Sequence, residues 1–189
     1  YELENPYSLV KENQWTLESF EKLVKSVGQD LNHDDKMDEN DLYGVLVWDD
    51  AIMGIINGVG EKCASVQENG EIVLSLYNER TVSALEQYFD IIFDENSAFC
   101  YQRHIRTGSG MWNNNQALFW MTAMGNIPSM RTMEADFGIL PYPKLSSEQT
   151  SYHNMVSPYN SQFYCVPLIQ NDAEMTGTIL EALAYYGYT

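Results

Sequence analysis

The stretch 30–41 constrains this chain more than any other. Oxygen-bearing side chains fall at Asp30, Asn32, Asp34, Asp38 and Asp41, the first, third, fifth, ninth and twelfth places, and Lys36 holds the seventh. That spacing wraps the oxygens around one centre. A run with apolar residues at helical spacing precedes it, and Leu42-Tyr43-Gly44-Val45-Leu46-Val47, a strand by composition, follows at once. The loop therefore joins a helix to a sheet, and the chain is expected to be an α/β protein.

A calcium loop of the EF-hand type uses these same places, with about six to eight oxygens at roughly 2.3–2.6 Å and a backbone carbonyl at the seventh. Asp30, Asn32, Asp34, Asp38 and Asp41, with the carbonyl of Lys36, are the expected ligands of one structural calcium ion. Met37, at the eighth place, is the apolar anchor to the core beneath. The sixth place carries Asp35 where Gly is usual, a residue that tolerates a left-handed backbone better than most. The twelfth carries Asp41 where Glu is usual, so bidentate coordination needs a closer approach of the backbone. A merely solvated acidic run is the alternative. A strand after the loop, in place of a second long helix, sets the chain apart from EF-hand sensors.

Charge narrows the function classes. The chain of 189 residues carries a formal net charge of −17, which repels phosphate backbones and anionic lipid and excludes nucleic-acid binding by a basic patch. Such a surface suits a neutral or a cationic ligand. Aromatic residues reach 13%, enough to supply stacking platforms for ligands with apolar faces, sugars among them. Cys63, Cys100 and Cys165 have no metal-ligand spacing, and their odd number leaves at least one unpaired. No stretch approaches the roughly 20 apolar residues of a membrane span. The sequence begins at Tyr1 rather than Met and reads as a piece of a longer protein.

Along the chain, residues 1–14 read as irregular. Thr16 is the expected N-cap of a helix whose buried face is Leu17, Phe20, Leu23, Val24 and Val27, closed by Gly28. After the strand at 43–47 comes Trp48-Asp49-Asp50 and an apolar run to Gly60. A strand-end loop running into a helix is where α/β proteins present binding groups. The Asn69-Gly70 turn and the run 71–76 predict a small ribbon. Residues 79–95 read as a helix burying Val82, Leu85, Phe89 and Ile92, and 97–106 read as its continuation in a second helix. A helix then a strand are expected across 111–124, a short helix at 128–132, strands at 137–143 and 161–166, and a closing helix at 173–186 capped by Asp172.

Several of these pieces occur in the order of one family. The chain resembles the extracellular solute-binding proteins of ABC importers, in particular the carbohydrate-binding group related to maltose-binding protein. Trp15-Thr16 with Glu18 and Phe20 is similar to that family's helix opening, Tyr43-Gly44 to its strand after a calcium-bearing or lysine-rich loop, and Asn115-Gln116-Ala117-Leu118-Phe119 to its Gly-x-Ala-Ala-Met segment. The most specific piece is Asp136-Phe137-Gly138-Ile139-Leu140-Pro141-Tyr142-Pro143-Lys144, similar to its hinge strand ending in Leu-Pro-x-Pro. The resemblance implies part of a two-lobed, type II periplasmic-binding-protein-like fold with helices on mixed sheets. Residues 1–140 would supply most of the second lobe, and 141–189 a hinge crossing and a partial return to the first. It also implies a monomeric importer component, extracellular as a cell-surface lipoprotein or periplasmic, that hands its solute to a membrane permease.

Sugar binding asks for aromatic faces beside planar polar groups. Trp48 with Asp49, Trp112 with Asn113, Trp120 with Thr122, and Tyr152 and Tyr159 within the polar loop after the hinge provide that pairing. Trp120, inside an apolar run, reads first as core; for Trp48 and Trp112 both roles stay open. The carboxylate pairs Asp49 with Asp50 and Glu134 with Asp136 raise glycoside hydrolysis, but neighbouring strand residues point to opposite faces. His33, His104 and His153 share no context, and no nucleophile elbow or phosphate loop is present. Capture of a neutral sugar without chemistry is therefore the first expectation. A calcium-stabilised domain of an extracellular glycan-degrading enzyme or adhesion protein is the alternative.

Overall fold

The computed structural model describes residues 3–101, 107–157 and 165–188, and the chain divides into two compact units, Tyr1–Met155 and Val156–Thr189. In the first unit α1 (Pro6–Lys11) and α2 (Leu17–Lys25) lead into β1 (Tyr43–Val47). There follow α3 (Ala51–Gly58), a ribbon of β2 (Ala64–Val66) and β3 (Ile72–Leu74), α4 (Glu79–Ile92), β4 (Ala98–Cys100), α5 (Thr107–Asn113), β5 (Ala117–Trp120) and a 3-10 helix over Met124–Met130. The second unit contains α6 (Ala173–Tyr188), whose first turn is capped where the Met175 N–H donates to the Asp172 carboxylate at 2.9 Å.

The protein is α/β. Its main sheet is parallel, in the order β4-β1-β5, with Val45 opposite Ala98 and Phe119. The ribbon is a separate antiparallel pair, so the expected mixed sheet resolves into a parallel sheet and a hairpin. β1 is buried along its whole length, which is why its sequence is continuously apolar rather than alternating.

Local chemistry explains most of the elements. Thr16 and Ser19 cap α2 reciprocally, each side chain accepting the other's backbone N–H, and the apolar positions 17, 20, 23, 24 and 27 are all buried. The helix ends at Ser26, however, not at Gly28. Gly28 matters for a different reason. A Cβ there would run into the Asn96 carbonyl, so glycine lets the chain pass close to the turn before β4.

Other readings need correction. Residues 6–11 are helical, started by an Asn5 cap and Pro6 in the first turn, signals carried by a helix too short to show periodicity. α4 buries Thr81, Ala84, Tyr88 and Ile91, the stripe adjacent to the expected one, and leaves Val82 exposed. The smaller Thr81 and Ala84 let α4 close against α3. Residues 98–100 are a strand, not a helix, because they pair with β1; 102–106 lie outside the described residues. Residues 137–143 form no strand. Pro141 and Pro143 lack the N–H that a ladder needs, and only Lys144 makes a bridge, to Thr16. The strand expected at 161–166 falls mostly outside the described residues, and 165–167 are irregular.

Residues 141–155 belong to the first unit. Lys144 is fully buried there, and its ammonium donates to the Asn13 backbone and side-chain oxygens and to the Gln149 carbonyl at 2.7 Å. The Tyr152 ring lies 5.0 Å from it. Among the described residues no carboxylate pairs with it, so neutral carbonyl dipoles and a π face compensate the charge, and burial lowers the Lys144 pKa.

Candidate functional site

In a parallel sheet all strands end on the same side, where loops rather than ladders fix the side chains. Here those ends carry Trp48 and Asp49 after β1, Cys100 and Tyr101 at the end of β4, and Trp120 closing β5. The rings form a chain. Trp48 and Tyr101 have centroids 5.2 Å apart, Tyr101 and Trp120 6.3 Å, and Trp120 and Trp112 of α5 5.9 Å. All four are half-buried, packed below on Tyr43, Leu46, Phe99 and Met111 or on one another. They are partly core and partly surface, which is the arrangement of a rigid aromatic ledge.

Polar groups sit at the ledge. Asp49 and Asp50 are exposed at the start of α3, and the Cys100 thiol donates to Asp49 Oδ1 at 3.5 Å. Burial pushes the Tyr101 hydroxyl above its usual pKa. Tyr88 and Tyr142 are raised likewise, chiefly by burial. The sequence pattern singles out Trp48, Asp49, Trp112 and Trp120, and these stand on one ledge; it misses Tyr101, the ring that joins them. One signal points to it: Tyr101 ends an apolar run, as Trp48 does.

Asn113 is exposed at the last turn of α5, beside Trp112. Tyr152 has a different occupation: its hydroxyl donates to the Val10 carbonyl at 3.4 Å and its ring covers Lys144. Tyr159 lies outside the described residues.

The acidic stretch is an ordered loop, closed at its base by a two-way backbone bridge between Gln29 and Leu42. Asp30 accepts the N–H of His33 at 2.7 Å through one oxygen and that of Asp35 at 2.9 Å through the other. Asn32 and Asp34 accept from the residues two further on, and Lys36 supplies one of those donors. Asp41, with 0% exposure, accepts from Leu31 at 2.9 Å and Asp38 at 2.8 Å. His33 and Asp35 have φ of 61° and 62°, so the sixth place takes the left-handed conformation without glycine. Met37 packs against the cluster of Tyr43, Leu46, Phe99 and Met111. Gln116 ties the loop to β5 through the carbonyls of Glu39 and Asp41.

The donor set is all oxygen, four carboxylates and one amide, which suits a hard cation. As they stand, the carboxylates face loop amides, and among the described residues no three His, Cys, Asp or Glu side chains form a metal-holding group. Among those residues, too, no helix is long and apolar enough to cross a membrane. Compared with protein-family models, curated proteins and solved structures, the chain has no match in any of the three.

Proposed function

We propose that this chain is the solute-capturing component of an ABC importer and that it binds a neutral mono- or oligosaccharide without transforming it. The observation that carries the reading is the aromatic ledge Trp48–Tyr101–Trp120–Trp112 at the C-terminal edge of a parallel sheet, with Asp49 and Asn113 beside it. Sugar rings present C–H faces that stack on such rings and hydroxyls that reach such polar groups. Half-buried rings are held in place before the ligand arrives, so little ordering entropy is lost on binding.

On this reading the described sheet belongs to one lobe of a two-lobed, type II fold, and the proline-flanked crossing at 141–143 is its hinge. The protein works as a monomer, extracellular on the cell surface as a lipoprotein or in the periplasm, and delivers its sugar to a membrane permease. Calcium occupies the loop 30–41, held by Asp30, Asn32, Asp34, Asp38, Asp41 and the Lys36 carbonyl. It neutralises the loop and fixes the α2–β1 connection rather than touching the sugar.

The test is a tryptophan-fluorescence titration of the protein with neutral glycans, amino acids and peptides, with reducing ends assayed in parallel. Saturable quenching by a glycan with no product supports the proposal. Quenching by peptides or amino acids alone defeats the carbohydrate assignment. Reducing ends released at a rate that falls on Asp49→Asn would instead establish a glycan-degrading enzyme.

A further inference from the structure

The ribbon β2–β3 lies between α3 and α4 in the first unit, and its extensive contacts are those between its own two strands. Val66 pairs with Ile72 and Ala64 with Leu74, which puts these four side chains on one face; Ser65 and Val73 take the other. The first face is aliphatic and open to solvent. Val66 and Ile72 are each 72% exposed and Leu74 is 85% exposed, with Tyr77 beyond them at 96%. A lone two-stranded ribbon is marginal in water, and a bare aliphatic strand face marks a surface that another chain covers.

Among the described residues the outer edge of β3 is open as well. Gln67 donates to the Glu71 carbonyl at 2.9 Å and Ser75 to the Cys63 carbonyl at 3.0 Å, so residues 71, 73 and 75 turn their backbone groups towards β2. Ile72 and Leu74 turn theirs outward. Natural edges are blunted by proline, lysine or a bulge, and β3 has none of these. The second face specifies the occupant. Beside Val73, the residues Gln67, Glu68, Asn69 and Glu71 line a shallow hollow rich in acceptors. Between positions 61 and 79 the acidic residues are Glu61, Glu68, Glu71 and Glu79, against Lys62 alone. Glu61 is already engaged with Arg80 and Asn78.

We infer that the ribbon is a docking strand, and that its occupant is an extended segment of a partner protein in which aliphatic and Lys/Arg side chains alternate. Pairing along β3 would set the aliphatic residues against Ile72 and Leu74, and the basic ones on the face that carries Glu71. An alternating strand meets both faces at once because its side chains alternate with the same period as those of β3. A second copy of this chain is disfavoured: it would bring the same acidic tip and a further net charge of −17. An anionic lipid surface is disfavoured on the same grounds.

The probe is a fluorescein-labelled seven-residue peptide alternating Lys and Val, titrated with the whole protein and followed by anisotropy. The expected result is saturable binding that weakens at least about tenfold when Ser replaces Val at equal charge, and likewise when alternate amides are N-methylated. On the protein side, Ile72→Thr with Leu74→Thr should cause a similar loss with an unchanged circular dichroism spectrum. Leu74→Pro, which removes an outward donor and no ribbon bond, should do the same. Equal binding of the Ser and Val peptides would reduce the effect to general attraction by an acidic surface and overturn the inference. So would a stable dimer in sedimentation that the Thr variant abolishes, or flotation with phosphatidylcholine vesicles, since each names a different occupant.

Discussion

The ring of Tyr142 fills the space into which a Cβ on Gly54 would project. The proline-flanked segment 141–143 is thereby seated directly on α3, the helix whose first turn follows Asp49 and Asp50. Gly58, one turn later, faces the same side chain. Two glycines at helical spacing, each unfavourable for a helix, make a flat track for one aromatic ring.

Gly54→Ala should therefore destabilise the protein by overpacking, by about 1–3 kcal/mol. Urea unfolding followed by circular dichroism measures the loss, and the double variant with Tyr142→Leu should recover part of it. An unchanged midpoint for Gly54→Ala would mean that the ring moves aside at no cost and that the segment 141–143 is not fixed to α3.

Alkaline pH should unfold the protein in a defined direction. Burial, with Asp41 close by, holds the Tyr43 hydroxyl well above its usual pKa; burial holds Tyr88 well above it too and raises Tyr142. A raised folded pKa gives stability that is complete below the unfolded value and lost as pH climbs past it, since the unfolded chain ionises first. Lys144, lowered by burial, acts with the opposite sign: its penalty fades as pH approaches the ordinary lysine value. Three tyrosines outweigh one lysine, so the melting temperature should fall steeply from about pH 10 upward. Tyr88→Phe should flatten that fall, and a curve level to about pH 11 would contradict the burial of these hydroxyls.

Helix α2 was legible because several local signals agree at one place: the Thr16 cap, Glu18 in the first turn and a buried stripe at 17, 20, 23 and 24. β1 was legible as a continuous apolar run. β4 was not, since three residues carry no period and become a strand only through pairing with β1. On α4 two adjacent stripes have the same spacing, and the choice between them depends on how near α3 can come, which is a tertiary matter. The ledge was half legible. A tryptophan followed by carboxylates announces itself, whereas Tyr101 gains its place only when three strand ends are brought to one edge.

The loop 30–41 allows a test that is independent of sugar binding. On the calcium proposal, adding calcium at about 100 times its dissociation constant stabilises the native state by about 2.7 kcal/mol. For a chain of this size that corresponds to a rise of about 5–10 °C in Tm, reversed by chelator. Asp30→Ala removes the first ligand and the partner of His33 and Asp35, so it should lower Tm without calcium and abolish the rise with it. Identical melting curves in calcium and in chelator would leave the loop as a self-bonded acidic turn.

Trp120, inside the ledge, and Trp48, at its end, should respond differently to truncation. Trp120 belongs to β5, touches both Tyr101 and Trp112, and packs on the cluster beneath the sheet. Trp48 lies beyond the end of β1, with exposed Asp49 and Asp50 on its other side. Trp120→Ala should thus cost stability, about 3–5 kcal/mol if the gap does not close. Trp48→Ala should cost less than half as much and instead weaken glycan binding by roughly tenfold or more, as expected for an aromatic anchor. Trp112→Ala, on a helix rather than a strand, is expected between the two, with Asn113→Ala altering selectivity among glycans more than affinity. Paired urea curves and fluorescence titrations of the three variants separate the effects. If Trp48→Ala lowered stability as much as Trp120→Ala and left affinity unchanged, Trp48 would be core, and the ligand would have to bind away from this edge of the sheet.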